Sequence, residues 1–157
     1  MSGVRCIDAS VAVKLVLKGE AYRAAARKLF NDSIRAGVTL IAPPLFPTEV
    51  DSVLRRRVHD GLLDAAKAQA AQTLLDRSPV EVRTHPELRQ RARAIAERFD
   101  QRAVYDATYA ALAELCGADF WTADKVFFDA VRTELPFVKY LPDYLRRGHR
   151  ARPKPPA

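Results

Sequence analysis

Four acidic residues lie far apart along the chain, each at the edge of an apolar segment: Asp8, Glu49, Asp106 and Asp124. Asp8 and Asp124 come just after predicted strands, whereas Glu49 and Asp106 lie in the first turns of predicted helices. If one sheet gathers all four, mutual repulsion raises their pKa values at neutral pH unless a cation neutralises the charge. Mg²⁺ prefers oxygen ligands of this kind. The four acids therefore predict a catalytic metal site suited to phosphodiester hydrolysis.

Each acid also has a purely structural explanation. Asp is favoured at helix N-caps, which suits Asp8 and Asp124. A carboxylate in a first helical turn interacts favourably with the helix dipole, which suits Glu49 and Asp106. Asp106 is the most informative, because a stripe predicted to be buried follows it at helical spacing, namely Tyr109, Ala110 and Ala113. An unpaired buried charge is costly, so Asp106 needs donors or a cation.

Several polar residues stand close to these acids in sequence. Ser10 and Thr122 are predicted to donate hydrogen bonds that orient the site carboxylates, and no histidine or lysine is placed to make Ser10 a nucleophile. Lys14 and Lys125 are candidates for guiding RNA phosphates toward an acidic pocket, with residues 55–57, three arginines, farther out. The alternative for all of these cations is a solvated surface charge.

Short apolar strands alternate with helices along the chain. Strands are predicted at residues 4–7, 39–42, 80–83, 119–122 and 136–140, and helices at 10–17, 20–36, 47–59, 62–76, 86–99, 103–116 and 125–131. This alternation is typical of an α/β fold, here a three-layer α/β/α sandwich with a central parallel sheet of four to five strands. In such sheets, ligands bind at the carboxyl ends of strands where the strand order reverses.

The charge distribution separates a body from a tail. The net charge is +7, and five basic residues without any acid lie in the last twelve positions: Arg146, Arg147, Arg150, Arg152 and Lys154. The length of 157 residues suits one domain, which we expect at residues 1–144, followed by a basic, proline-rich tail at 145–157. The tail could contact RNA phosphates or serve only solubility.

Other classes of protein fit the sequence poorly. Cys6 and Cys116 lack the spacing of a zinc site and lie in apolar segments, so both are predicted to be buried free thiols. The three histidines show no ligand pattern. The start of the chain lacks an apolar signal segment, and no apolar run is long enough for a membrane span. We therefore expect a cytoplasmic protein.

Four short segments resemble the PIN-domain family, specifically its short bacterial ribonuclease toxins of the VapC type. The first is residues 7–11 (Ile-Asp-Ala-Ser-Val), and the second is residues 43–54, which begin at Pro43 and include Glu49. The third is residues 105–113, which begin at Tyr105 and include Asp106, and the fourth is residues 122–124 (Thr-Ala-Asp). They occur in the family's order with suitable separations, and flanking elements extend the resemblance to about residue 144. Phe120 and Trp121 stand where smaller aliphatic residues are usual, and the tail lies outside the pattern.

The resemblance implies an acidic pocket that holds one or two Mg²⁺ ions, with Mn²⁺ as a substitute, and an endoribonuclease activity. It also implies a homodimer and a small cognate antitoxin protein as partner. Asp8 and Asp106 are our first choice as direct metal ligands. Glu49 and Asp124 would bind directly, through water, or at a second ion.

Rival functions can be ranked. A phosphatase with an aspartate nucleophile needs a second acid two residues after the first, where this chain has Ser10. A receiver-type phosphoacceptor needs an acidic pair at the first strand, which is missing. Two alternatives stay open: an RNA-processing nuclease of the PIN fold outside a toxin-antitoxin pair, and a catalytically inert binding module of the same fold.

Overall fold

The computed structural model describes residues 3–146 of the chain. Five strands form one sheet in which every neighbouring pair is parallel. They are β1 (Val4–Ile7), β2 (Thr39–Ala42), β3 (Val80–Val82), β4 (Asp119–Thr122) and β5 (Val138–Tyr140). Their order across the sheet is β3-β2-β1-β4-β5. The direction of the connections therefore reverses between β1 and β4, the position at which open parallel sheets bind ligands.

Helices form the connections between these strands. They are α1 (Ala9–Val16), α2 (Arg23–Arg35), α3 (Phe46–His59), α4 (Ala65–Asp76), α5 (Leu88–Arg98), α6 (Tyr105–Cys116), α7 (Lys125–Val131) and α8 (Asp143–Arg146). Helix α1 packs against α2, α3 and α4, whereas α5 packs against α6. Parallel crossovers are right-handed, so the reversal of strand order puts α1 to α4 on one face of the sheet and α5 to α7 on the other. The predicted α/β/α sandwich is confirmed.

The core lies on both faces of the central strands. Cys6, Ile7, Ile41 and Phe120 are fully buried, as expected for strands that helices cover on both sides. Tyr109 of α6 stacks on Phe120, with ring centroids 5.6 Å apart. The small alanine side chains around Tyr109 let α6 approach the sheet closely, so that the Tyr109 ring reaches the bulky Phe120 of β4.

The predicted helix at 20–36 was wrong at its start, because α2 begins only at Arg23. Tyr22 adopts the left-handed conformation (φ 62°), which interrupts a right-handed helix. Glu20 lies in this connection and forms ion pairs with Lys14 of α1 and Arg57 of α3. These tertiary contacts favour a bent connection over the helix that local propensity predicts.

Other boundaries shift by a few residues. Helix α4 begins at Ala65 because Asp64 caps it, accepting a hydrogen bond from the Lys67 amide at 2.8 Å. Helix α5 begins at Leu88 and α6 at Tyr105, both two residues later than predicted, and β5 begins at Val138. The short helix α8 was not predicted, and the tail beyond residue 146 lies outside the described residues.

Both cysteines are free thiols, as predicted, but only Cys6 is buried. Cys116 is half-buried at the end of α6, so the prediction of burial was wrong for this residue. Gly117 follows it with φ 66° and ends the helix in the left-handed conformation that glycine adopts without strain. No helix within residues 3–146 is long and apolar enough to cross a membrane.

Replacing Ile41 by alanine tests the importance of the sheet core. Ile41 is fully buried in β2, and truncation of such a side chain typically costs about 2–5 kcal/mol. We expect the free energy of unfolding, measured by urea titration, to fall within that range. The matched control is Leu62→Ala, because Leu62 is 73% exposed and should change stability by less than about 0.5 kcal/mol. Equal losses in both variants would contradict this account of the core.

Candidate active site

The carboxyl ends of β1 and β4 form the centre of the site. The two strands are neighbours, and Ile7 of β1 lies opposite Trp121 of β4. The next residue of each strand, Asp8 and Thr122, therefore reaches the same edge of the sheet. Thr122 is fully buried and Asp8 is 5% exposed.

The Asp8 carboxylate is held by three hydrogen bonds. Its Oδ1 accepts from the Ser10 hydroxyl at 2.6 Å and from the Val11 amide at 3.0 Å, which caps α1. Its Oδ2 accepts from the Thr122 hydroxyl at 2.7 Å. Burial raises the pKa of Asp8, although these three hydrogen bonds lower it in part. A carboxylate offers about four acceptor positions, so roughly one position is left for another ligand.

Thr122 links Asp8 to Asp124. While its hydroxyl donates to Asp8, the same oxygen accepts a hydrogen bond from the Asp124 amide at 3.0 Å. The Asp124 carboxylate caps α7 by accepting from the Phe127 amide at 3.0 Å. Both strand ends are therefore fastened together through one buried hydroxyl, which fixes two of the four acids relative to each other.

Glu49 enters the site from the first turn of α3. Within residues 3–146, its buried Oε1 atom has no hydrogen-bond partner. Burial, followed by the charges of Asp8 and Asp106, raises the pKa of Glu49 to about 7, while Arg56 lowers it in part. An unsatisfied buried carboxylate oxygen is costly, and a bound cation would remove that cost.

Asp106 enters from the first turn of α6. Burial is the largest cause that raises its pKa to about 7, followed by the charges of Asp124 and Asp8 and a hydrogen bond with the Asp124 carboxyl. No N-cap or other donor stabilises its charged form among the contacts of residues 3–146. The Asp106 carboxyl is therefore partly protonated at neutral pH, and a bound cation would favour its charged form.

Asp8 lies within electrostatic range of the other three acids, but the four do not form a closed ligand shell. Among residues 3–146, no three His, Cys, Asp or Glu side chains stand in chelating geometry. Mg²⁺ retains several waters and takes only a few protein ligands, so an open arrangement suits it. The orphaned Glu49 oxygen and the all-oxygen donor set fit such an ion.

The cations predicted to guide RNA have acidic partners. The Lys14 ammonium lies 3.8 Å from Glu20, which also pairs with Arg57. Lys125 pairs with Asp129 on its own helix at 2.6 Å. A role for Lys14 and Lys125 in RNA binding therefore stays a prediction. Each ammonium group would have to leave its acidic partner in order to contact a phosphate.

Two further residues influence the acids. The positive charge of Arg56 lowers the pKa of Glu49. Arg56 follows Glu49 by seven residues, or two helical turns, and this spacing could have indicated their proximity from the sequence. Tyr109 was predicted only as a packing residue. The charges of Glu49 and Asp8 add to burial in raising the pKa of Tyr109, so the phenol lies beside the acids and stays neutral. Its spacing of three residues from Asp106 places both on one helix face.

The pKa values of Glu49 and Asp106 predict an unusual dependence of stability on pH. Both rise to about 7 in the folded protein, from ordinary values of 4.5 and 3.8. Between about pH 4 and pH 7 the folded state therefore binds more protons than the unfolded state, and this contribution to stability is lost as pH rises through about 7. In EDTA, we expect a lower Tm at pH 8 than at pH 5.5.

A matched pair of variants isolates this effect from other titrations. Asp106→Asn should shrink the difference in Tm between the two pH values, because it removes one of the two titrating groups. Asp51→Asn replaces an exposed acid of α3 and should leave the difference unchanged. The same pH dependence in the wild type and in Asp106→Asn would show that folding does not raise the pKa of Asp106.

Comparison with known proteins agrees with this architecture. A family profile described as the PIN domain matches residues 5–133. The chain is similar to the crystal structure of PAE2754 from Pyrobaculum aerophilum, with a TM-score of 0.67 and 21% identity over 93% of this chain and 97% of the other. A second similar structure is VapC20 of Mycobacterium tuberculosis, described as a sarcin-ricin loop cleaving toxin.

For VapC20 the TM-score is 0.61 and the identity 22%, over 82% of this chain and 95% of that one. At such identities the two structures support the shared fold alone. A search of curated proteins finds no match. The family profile extends from β1 to the residues that follow α7 and includes all four acids. The chain therefore belongs to the PIN-domain family.

Proposed function

We propose that this chain is an Mg²⁺-dependent endoribonuclease that hydrolyses RNA phosphodiester bonds. PIN domains are generally nucleases. The observation that carries the proposal is that the joined ends of β1 and β4 bring Asp8 and Asp124 beside Glu49 and Asp106. Burial and the charges of neighbouring acids raise the pKa values of Glu49 and Asp106 to about 7. Such clustering destabilises the fold, and strongly perturbed carboxyl groups are typical of functional sites.

Asp8 and Asp106 are the proposed direct ligands, and Glu49 and Asp124 would bind directly, through water, or at a second ion. When bound, the divalent ion polarises the phosphate and lowers the pKa of an attacking water. Mn²⁺ would substitute, because it also accepts oxygen ligands.

The protein's own groups would hold this arrangement in place. The Ser10 and Thr122 hydroxyls orient both oxygens of Asp8. No histidine is involved in these contacts, so nothing supports a route that uses the ribose 2′-hydroxyl as nucleophile. Attack by water would leave a 5′-phosphate and a 3′-hydroxyl.

The cleavage proposal is tested with Asp106→Asn beside Asp51→Asn on a labelled synthetic RNA in Mg²⁺. Asp106→Asn should reduce the cleavage rate by about a hundredfold or more, because it removes a proposed ligand of the ion. Asp51 is exposed on the same helix as Glu49, and its variant should retain full activity. Circular dichroism establishes that both variants are folded.

The RNA ends produced by the wild type test the route of cleavage. A 5′-phosphate is the expected product, detected by sensitivity to a 5′-phosphate-dependent exonuclease. A 2′,3′-cyclic phosphate would contradict hydrolysis by water. Equal cleavage by the wild type and Asp106→Asn would contradict the acid site itself.

We further propose that the chain is the toxin of a type II toxin-antitoxin system. The support is the resemblance of its motifs to VapC-type toxins and its structural similarity to VapC20, itself described as a toxin. A small cognate antitoxin protein, a homodimeric state and a cytoplasmic location are part of this proposal and rest on the same resemblance.

Induced expression in a bacterial host tests the toxin proposal. Expression of the wild type should arrest growth and cause loss of intact RNA, whereas Asp106→Asn at the same protein level should do neither. Normal growth with a wild type that cleaves RNA in vitro would instead favour an RNA-processing nuclease. Normal growth together with no cleavage in vitro would favour an inert binding module.

A further inference from the structure

An open groove of about 580 Å³ lies beside the acid site. Its walls come from the starts of α3 and α6, the segment after β3, and one side of α5. Leu45 lines it one helical turn before Glu49, and Tyr105 lines it directly before Asp106. The groove is therefore bounded by the same two helix starts that bring Glu49 and Asp106 into the site, although its lining contains neither acid.

The groove exposes apolar and aromatic surface at this junction. Tyr105 is 62% exposed and Val104 is 42% exposed. Within residues 3–146, the ring of Tyr105 stacks on no other aromatic ring. By contrast, the other tyrosine of α6, Tyr109, is buried and stacks on Phe120. An exposed aromatic ring beside a charged site offers a flat surface on which a nucleic-acid base can stack.

Helix α5 supplies two arginines to the groove. Arg89 and Arg93 are both exposed and line it, and their spacing of four residues places them on one helix face. In the part of the chain that the structure describes, neither forms an ion pair, whereas Arg91 and Arg98 of the same helix pair with Glu114 and Glu134. The unpaired guanidinium groups of α5 are thus those that face the groove.

His85 adds a hydrogen-bond donor at the floor of the groove. Its Nδ1 accepts a hydrogen bond from the Glu87 amide at 3.1 Å. When one ring nitrogen of a neutral imidazole accepts, the other carries the proton, so Nε2 can donate. An aromatic platform, two unpaired cations and a neutral donor form a combination that matches a base together with its phosphates.

We infer that this groove binds the nucleotide next to the scissile phosphate of single-stranded RNA, with the base on Tyr105 and the flanking phosphates on Arg89 and Arg93. This inference rests on the proposed nuclease function, because it is the acid site that defines the scissile position. The substrate is single-stranded in this groove, since a base in a duplex is already stacked on its neighbours and cannot present its face to a tyrosine. Tyr105 therefore favours single-stranded sites over duplex sites, and in this way helps to determine which positions of an RNA are cut.

Binding is measured by fluorescence anisotropy of a labelled single-stranded RNA on the full chain with Mg²⁺. An Asp106→Asn background prevents turnover. Tyr105→Leu should weaken binding about tenfold, because leucine is apolar but cannot stack on a base. Tyr105→Phe retains the ring and should bind within about twofold of the parent. If phenylalanine and leucine give equal losses, or if neither weakens binding, the stacking role is overturned.

The arginines are tested by the dependence of affinity on salt. Arg89→Ala combined with Arg93→Ala should lower the slope of log affinity against log salt by about 1.4, since each phosphate contact to a single strand contributes about 0.7. The control pair is Arg27→Ala with Arg35→Ala, two exposed arginines of α2, which should leave the slope unchanged. Equal slopes in both pairs would overturn the role of the groove cations.

Cleavage assays on the chain with Asp106 unchanged separate this inference from the nuclease proposal. In these assays, Tyr105→Leu should raise KM and alter which positions of an RNA are cut, with little change in kcat. If the wild type cleaves and Tyr105→Leu cuts the same positions with the same KM, the groove inference fails and the nuclease stands. Binding through Tyr105 and the arginines without cleavage supports the groove and overturns the nuclease. A chain that neither binds nor cleaves RNA overturns both.

Discussion

The burial of carboxyl groups beside one another at one edge of the sheet is the constraint on which the rest of the site depends, because lost hydration and mutual repulsion both disfavour their charged forms. The protein handles the four in two ways. Asp8 and Asp124 accept hydrogen bonds from helix amides, which hold both side chains in place. Glu49 and Asp106 lack such donors among the described residues, and their pKa values rise to about 7. The first pair is fixed in place, and the second pair responds to protons or to a cation.

From the sequence, helix capping and site membership are alternative roles for Asp8 and Asp124, but a capping carboxylate can also be a site ligand. A carboxylate has about four acceptor positions, and a cap uses one of them. The direction of the Asp8 side chain is also fixed, because the Ser10 hydroxyl donates to one carboxylate oxygen and the Thr122 hydroxyl donates to the other. A capping residue at the end of a central strand is thus well suited to orient a metal ligand.

Much of this architecture could be predicted from the sequence, because strand and helix periodicity is local and the order of elements restricts the topology. The carboxyl ends of β1 and β4 meet in any sheet of this order, which is why Asp8 and Asp124 could be placed together in advance. The interactions that were missed are tertiary. Glu20 bends the chain before α2 through partners on two other helices, and no local pattern encodes that contact.

The supply of positive charge also depends on tertiary contacts. Lys14 and Lys125 are closest to the acids in sequence, yet each is neutralised by an acid in the folded chain. Arg89 and Arg93 lie distant in sequence from three of the four acids, line the groove next to α6, and form no ion pair within residues 3–146. A polyanion that must approach four carboxylates is attracted most by cations that need not break an existing ion pair. Under the proposed nuclease function, electrostatic guidance would therefore come from one face of α5 and not from the residues beside the acids.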